Sequence, residues 1–353
     1  MDLLILTFAF VLILIGAELF TNGIEWFGRK LELAEGAVGS VLAAVGTALP
    51  ETMIPIIAIM FGGQGTHSDE VGIGAILGAP FMLSTLAMFV TGIGVIFWRN
   101  RRATGTKMSV DTRVLGHDMR YFAIAYGLAV GAAFLPPELV VGKWLVAAIL
   151  IGIYVWYVKA HFAAEHAATD GEDLAPLRFH GLDRAHRRKE PVVPRLRIVG
   201  TQVVAALSFI IVGAFVFVGA VDRLALSLGV NPTLLALVIA PVATELPEKF
   251  NSLLWVRQGK DTLAMGNITG AMVFQSAIPT VVALVLASES WRITGDSMIA
   301  FISAGIAFLS SAAIFIPMAR RGSLDGRALL VGGVFYLGYL GLVIAEITGV
   351  LPG

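Results

Sequence analysis

Ten runs of apolar residues, separated by mostly short polar stretches, occupy residues 3–20, 36–61, 71–98, 121–135, 140–159, 198–220, 232–256, 262–287, 297–318 and 328–348. Most approach the ~20 residues that an α-helix needs to cross the hydrocarbon of a bilayer, and 121–135 is the shortest. The pattern predicts an all-α integral membrane protein of ten transmembrane helices. Five fall in residues 1–160 and five in 198–353, with the one long polar segment, 161–197, as a cytoplasmic linker. No basic stretch precedes the first run and no clear small-residue cleavage site follows it, so it reads as a retained helix rather than a signal peptide.

Composition agrees with the pattern. The chain is 57% hydrophobic and 14% charged, with a mean hydropathy of +0.83, against roughly 45–50% and about 25% for soluble domains. The absence of cysteine excludes disulfides, thiolate metal sites and cysteine nucleophiles. The net charge of zero says little, but the placement of charge says more. With the N-terminus outside and the loops alternating, the inside loops hold twenty-one lysines and arginines. The outside loops hold only Lys143, Arg223 and Arg292, and Lys249 lies within a span. That asymmetry supports ten spans with both termini outside, in a plasma or inner membrane. Five is an odd number, so the second half enters the membrane in the opposite sense, as the inverted repeats of many transporters do.

A short phrase occurs in both halves. Residues 47–51 read TALPE and 244–248 read TELPE, with Thr47, Pro50 and Glu51 each 197 residues from Thr244, Pro247 and Glu248. A carboxylate beside a proline inside an apolar run is costly to keep, and such residues mark ion pathways. Proline removes a backbone donor, so carbonyls near Thr47 and Thr244 are expected to be freed from helical bonding. Carbonyls and carboxylates are hard oxygen ligands suited to sodium and calcium. Two carboxylates balance one calcium or two sodium ions, and antiport follows if only the compensated site crosses between states. A lone intramembrane glutamate is readily explained by a helix–helix hydrogen bond; two at repeat-related positions point to the halves of one site. Small residues follow in the next run of each half, at Gly72, Gly74, Gly78 and Ala79 and at Gly266, Gly270 and Ala271, and allow close helix approach.

An intramembrane enzyme would need a nucleophile or a zinc site within the spans, and the chain has no HExxH and keeps its histidines out of the apolar runs. A channel is the other class to weigh, recognisable by flux insensitive to any counter-ion. The chemistry requires no cofactor and no nucleic acid; the expected partners are inorganic cations and membrane lipid.

The run Gly16-Ala17-Glu18-Leu19-Phe20, the TALPE and TELPE segments, and Gly266-Asn267-Ile268-Thr269-Gly270 resemble the repeat signatures of the sodium/calcium exchanger (cation/calcium antiporter) superfamily. The resemblance covers about residues 10–85 and 213–280 and is that of a divergent member of prokaryotic type. It implies a ten-helix inverted-repeat fold with the ion site on the second, third, seventh and eighth helices. It also implies Glu51 and Glu248 as principal cation ligands, helped by oxygens of Thr47 and Thr244 and by Asn267. Calcium, sodium or protons would be the transported cations, and sodium/calcium exchange the activity.

The departures bear on the substrate. Ala48 and Glu245 stand where the family has a small hydroxyl residue, and Gly74-Ala75 stands where it has Gly-Asn. Gly78-Ala79-Pro80 and Gly270-Ala271-Met272 replace Gly-Ser-Asn. The first repeat has lost polar ligands and the second has gained a carboxylate, so a proton-coupled exchanger of calcium or another cation is the alternative. Lys249, four residues after Glu245 on a helix, either neutralises it or leaves it facing the site. Glu18 and Glu346 read as interfacial, and Lys249 could also pair with either. Trp26, Trp98, Trp144, Trp156, Trp255 and Trp291 read mostly as an aromatic belt. The linker histidines His161, His166, His180 and His186 read as solvated.

Overall fold

The computed structural model describes residues 2–30, 43–61, 68–165, 175–182, 194–295 and 297–348. Of these, 25, 28, 29, 43–51, 68, 161–165, 242–251 and 347 are described by their backbone alone. Helices cover the apolar runs: α1 (Asp2–Lys30), α2 (Ala43–Phe61), α3 (Asp69–Phe97), α4 (Thr112–Gly131) and α5 (Val140–Glu165). After the linker come α6 (Leu196–Leu228), α7 (Pro232–Gln258), α8 (Asp261–Leu286), α9 (Met298–Arg321) and α10 (Val331–Ile347). Among the described residues, seven helical segments are long and apolar enough to cross a membrane, and Thr52–Phe61 and Pro232–Pro241 are shorter apolar stretches. Large apolar side chains such as Leu4, Phe8, Trp156, Val204 and Leu337 are exposed, as a lipid solvent requires. This is an integral membrane protein.

Local chemistry fixes many of the helix ends. Asp111 caps α4 by accepting from the backbone N–H of Arg113, and Asn231 caps α7 through Thr233 N–H, with Pro232 at the first turn. Gly229, Gly259 and Gly322 end α6, α7 and α9 in the left-handed conformation, at φ 64°, 77° and 63°. Within α3 the Leu83–Ala87 turn is π-helical, three residues after Pro80. There the Ser84 carbonyl accepts a 2.6 Å hydrogen bond from Ser310 of α9.

One buried cluster joins α1, α2, α6 and α7 with the start of α3, and a larger one joins α3, α4, α5, α8, α9 and α10. Helix α1 packs along α6 in an antiparallel crossing that repeats itself. A methyl at Gly16 would lie 2.8 Å from Ile210 and 3.0 Å from the Ala206 carbonyl. One at Gly213 would lie 2.7 Å from Ile13 and 3.2 Å from the Ala9 carbonyl. These six residues form three pairs, Gly16 with Gly213, Ile13 with Ile210 and Ala9 with Ala206, each matched at a separation of 197. Helix α3 instead runs parallel to α7, with Gly74 against the Thr233 carbonyl and Gly78 against that of Leu237. Added methyls there would come within 2.1 and 2.3 Å of those oxygens. Gly74→Val and Gly78→Val are therefore each expected to cost at least about 1–3 kcal/mol. Thermal unfolding in detergent measures this against Gly152→Ala, where no described atom lies within 4 Å. The corresponding α8 glycines do not show the same packing among the described residues. None of those residues approaches within 4 Å at Gly266, and only the Tyr157 hydroxyl does at Gly270.

The loops gather on two faces. Strand β1 (Lys107–Met108) pairs antiparallel with β2 (Leu324–Asp325), joining the α3–α4 and α9–α10 loops, a contact the helical pattern did not predict. Arg102 of the first loop holds Asp261 at the start of α8 with bonds of 2.7 and 2.6 Å, and linker residues 175–182 dock against Asn22, Trp26 and Gln202. On the opposite face Asp2 pairs with Arg223 at 3.2 Å, and Asp69 accepts from Ser290. Lys143, expected in an outside loop, is instead fully buried and donates to the Ser288 and Trp291 carbonyls.

Two of the expected belt residues depart from the belt for the same reason. Trp291 is fully buried and donates to the Ala129 carbonyl at 2.9 Å, and Trp26 donates to Ala175. An indole N–H at a span end can bond a protein carbonyl instead of the interface. Trp144 and Trp156 are exposed.

Candidate cation site

The helices that carry the repeated phrase lie together. Each of α2, α3, α7 and α8 touches the other three. TALPE lies in α2 and TELPE in α7, and both helices stay α-helical through Pro50 and Pro247. The expected interruption is therefore smaller than a break. A proline inside a continuous helix removes one N–H, so the carbonyl four residues earlier, that of Gly46 or Ala243, loses its helical donor. The side chains of Thr47, Glu51, Thr244, Glu245, Glu248 and Lys249 lie outside the described set, and so does the choice between the two readings of Glu245.

Asn267 is the one expected ligand whose side chain is described. It is half-buried on α8, and its amide donates to the Ser252 hydroxyl of α7 at 3.3 Å. Ser252 is fully buried one turn beyond Glu248. An amide and a hydroxyl bridging α7 and α8 give two oxygen donors on the carboxyl side of TELPE. The sequence reading missed Ser252, because a serine in an apolar run is ordinary; its four-residue spacing from Glu248 was the available signal. The equivalent place on α3 is Ala75, buried and apolar, so the described donors are concentrated on the second repeat.

A second polar centre was missed altogether. Asp118 of α4 is fully buried, although the apolar pattern placed it before the fourth span. Its two oxygens meet the Tyr157 hydroxyl of α5 at 3.1 Å and the Thr269 hydroxyl of α8 at 2.6 Å. Helix α4 begins at Thr112, nine residues earlier than the apolar run. Of the charged and titratable residues in its first turns, Asp118 is buried, His117 is half-buried, and Arg113 and Arg120 are exposed.

Glu18 is largely exposed and pairs with Arg178 of the linker at 2.7 Å, and Glu346 is half-buried near the end of α10. His180 contacts the Leu177 carbonyl, while the side chains of His161, His166 and His186 lie outside the described residues. Among the described residues no cluster of histidine and carboxylate side chains could hold a metal ion.

The family model for the sodium/calcium exchanger protein matches residues 1–162 and 200–347. CaxA of Alkalimonas amylolytica, a candidate antiporter, is 24% identical over 272 residues, covering 75% of this chain and 74% of its own. An uncharacterised membrane protein of Methanocaldococcus jannaschii, MJ0091, is 20% identical over 267 residues, covering 74% of each. Among solved structures the chain is similar to an H+/Ca2+ exchanger, CAX, with a TM-score of 0.70, 14% identity and coverage of 99% of this chain and 85% of that one. It is also similar to the sodium-calcium exchanger NCX_Mj, with a TM-score of 0.57, 16% identity and coverage of 97% and 99%.

Proposed function

The chain belongs to the sodium/calcium exchanger protein family, and we propose that it is a secondary cation antiporter, not an enzyme, that carries calcium by alternating access. Its site is built from Glu51 and Glu248, with oxygens of Thr47, Thr244 and Asn267, and with Glu245 either lining it or neutralised by Lys249. The observation that carries the reading is the mutual contact of α2, α3, α7 and α8, which brings the helices of both LPE phrases into one centre. Ten spans in two inverted repeats are supported by the matched Gly16 and Gly213 contacts. They are supported also by antiparallel α1–α6 beside parallel α3–α7, the directions that alternating loops require. The same alternation and the basic loops support both termini lying outside.

Sodium is the coupling ion that the motif resemblance suggests. Proton coupling is the second reading, favoured by the apolar Ala75 on α3 and by the buried carboxyl of Asp118. Purified protein in liposomes, with calcium, sodium and proton gradients imposed singly, tests both. Calcium uptake driven by outward sodium supports the first reading, and uptake driven by outward protons without sodium supports the second. Calcium flux that ignores both gradients would indicate a channel.

A further inference from the structure

Helix α8 separates two polar centres. Asn267 bonds to Ser252 of α7, and Thr269 bonds to Asp118 of α4. Two residues along an α-helix turn by about 200°, so these side chains leave α8 on opposite faces. The face toward α7 belongs to the proposed cation site. The face toward α4 and α5 holds the buried carboxyl of Asp118, bonded to Tyr157 and Thr269.

The contacts of Asp118 suit a group that changes its protonation. Thr269 has one hydroxyl proton and two neighbours able to accept it, Asp118 Oδ2 at 2.6 Å and the Met265 carbonyl at 3.1 Å. With Asp118 ionised, Thr269 donates to the carboxylate. With Asp118 protonated, the carboxyl O–H donates to Thr269 Oγ1, and Thr269 donates back to Met265. Neither state leaves this buried hydroxyl unbonded. Tyr157 reaches the other oxygen, and its hydroxyl lies at Gly270, where an added methyl would stand 3.4 Å from it.

Among the described residues the surrounding helices bring few other titratable groups, and Lys159 of α5 is exposed. On α4, half-buried His117 has its ring 4.7 Å from that of Tyr121 and 6.3 Å from that of Tyr157, and Arg120 is exposed. On α5 the ring of Tyr154 is 6.2 Å from that of Tyr157, and the side chain of His161, one turn beyond Tyr157, lies outside the described set. Helix α8 carries Asp261 alone, which Arg102 holds, and α9 has only apolar and hydroxyl side chains from Met298 to Met318.

We propose that Asp118, between the hydroxyls of Tyr157 and Thr269, is a proton-binding site coupled through α8 to the cation site. Its coupling role rests on the antiport reading; its protonation does not. A cation at the Asn267 face lies about one helix width, ~10 Å, from Asp118 and is weakly screened inside the protein. Its arrival favours the ionised carboxylate. The carboxyl O–H bond breaks, the proton passes to water, and the negative charge stays on Asp118. Departure of the cation reverses the step.

Difference infrared spectroscopy of the protein in liposomes tests this. The wild type is expected to show a protonated-carboxyl band that disappears as pH rises and, at fixed pH, disappears when calcium is added. Asp118→Asn is expected to lack that band. Tyr157→Phe, which keeps the carboxyl but removes one donor to its ionised form, is expected to move the midpoint to higher pH. Thr269→Val should do the same, and Thr269→Ser should restore the original midpoint. An unchanged band in Asp118→Asn, or in Tyr157→Phe should the first variant not fold, overturns the assignment. A band that follows pH but ignores calcium overturns the coupling. A wild type that carries the band yet exchanges no calcium refutes the antiport reading and leaves the proton site standing.

Discussion

Glu51→Gln and Glu248→Gln are each expected to abolish counter-ion-driven calcium uptake into liposomes, and the double variant is expected to be no worse than either single one. Glutamine keeps size and hydrogen bonding but removes one of the two charges that balance a divalent ion. Uncompensated charge in a low-dielectric site costs about 3–5 kcal/mol, and ~1.4 kcal/mol is tenfold. Each loss should therefore be roughly a hundredfold to several thousandfold. Residues that act as one unit are non-additive. Retention of more than a tenth of the flux by either variant would mean that the LPE phrases do not form a shared site.

The second large effect is at the loop face. Arg102 and Asp261 are both buried, bonded at two points, and Asp261 also accepts from Ser109 N–H at 2.7 Å. The same arginine donates to the Val256 carbonyl at the end of α7 and, at 3.1 Å, to that of Gly105. The pair thus ties the α3–α4 loop to the α7–α8 turn. Arg102→Ala leaves a buried carboxylate without its cation and is expected to destabilise the protein by about 3–5 kcal/mol. Asp261→Asn strands the buried guanidinium but should cost less than Arg102→Ala, because Arg102 keeps its bonds to the Gly105, Lys107 and Val256 carbonyls and the amide oxygen can still accept. Thermal unfolding in detergent measures both. Equal, negligible effects would mean that the junction is held by other contacts.

Much of the fold was legible because in a bilayer the backbone must bond within itself, so apolar length specifies helices directly. The spans read from the chain and the helices observed differ by a few residues at most of the ends. The exceptions have physical causes. Helix α4 starts nine residues early because Asp118 is screened by hydroxyls from two other helices, which no local pattern reveals. Lys143 looks like a loop residue in sequence and is buried because carbonyls of a distant turn converge on it. Helices α2 and α7 continue across Pro50 and Pro247 where the sequence suggested interruption, since a missing donor does not by itself end a helix that neighbours enclose. At the site, repetition at a separation of 197 made TALPE and TELPE conspicuous. Ser252 and Asp118 have no such counterpart: at a separation of 197 they face Pro55 and Phe315.

Whether the two repeats share one cation site is decided by calcium titration of the purified protein. One calcium ion is expected per chain, competed by the coupling ion, and lost in Glu51→Gln and in Glu248→Gln alike. Full binding by either variant, or two independent calcium ions in the wild type, each removed by one substitution, would contradict a shared site.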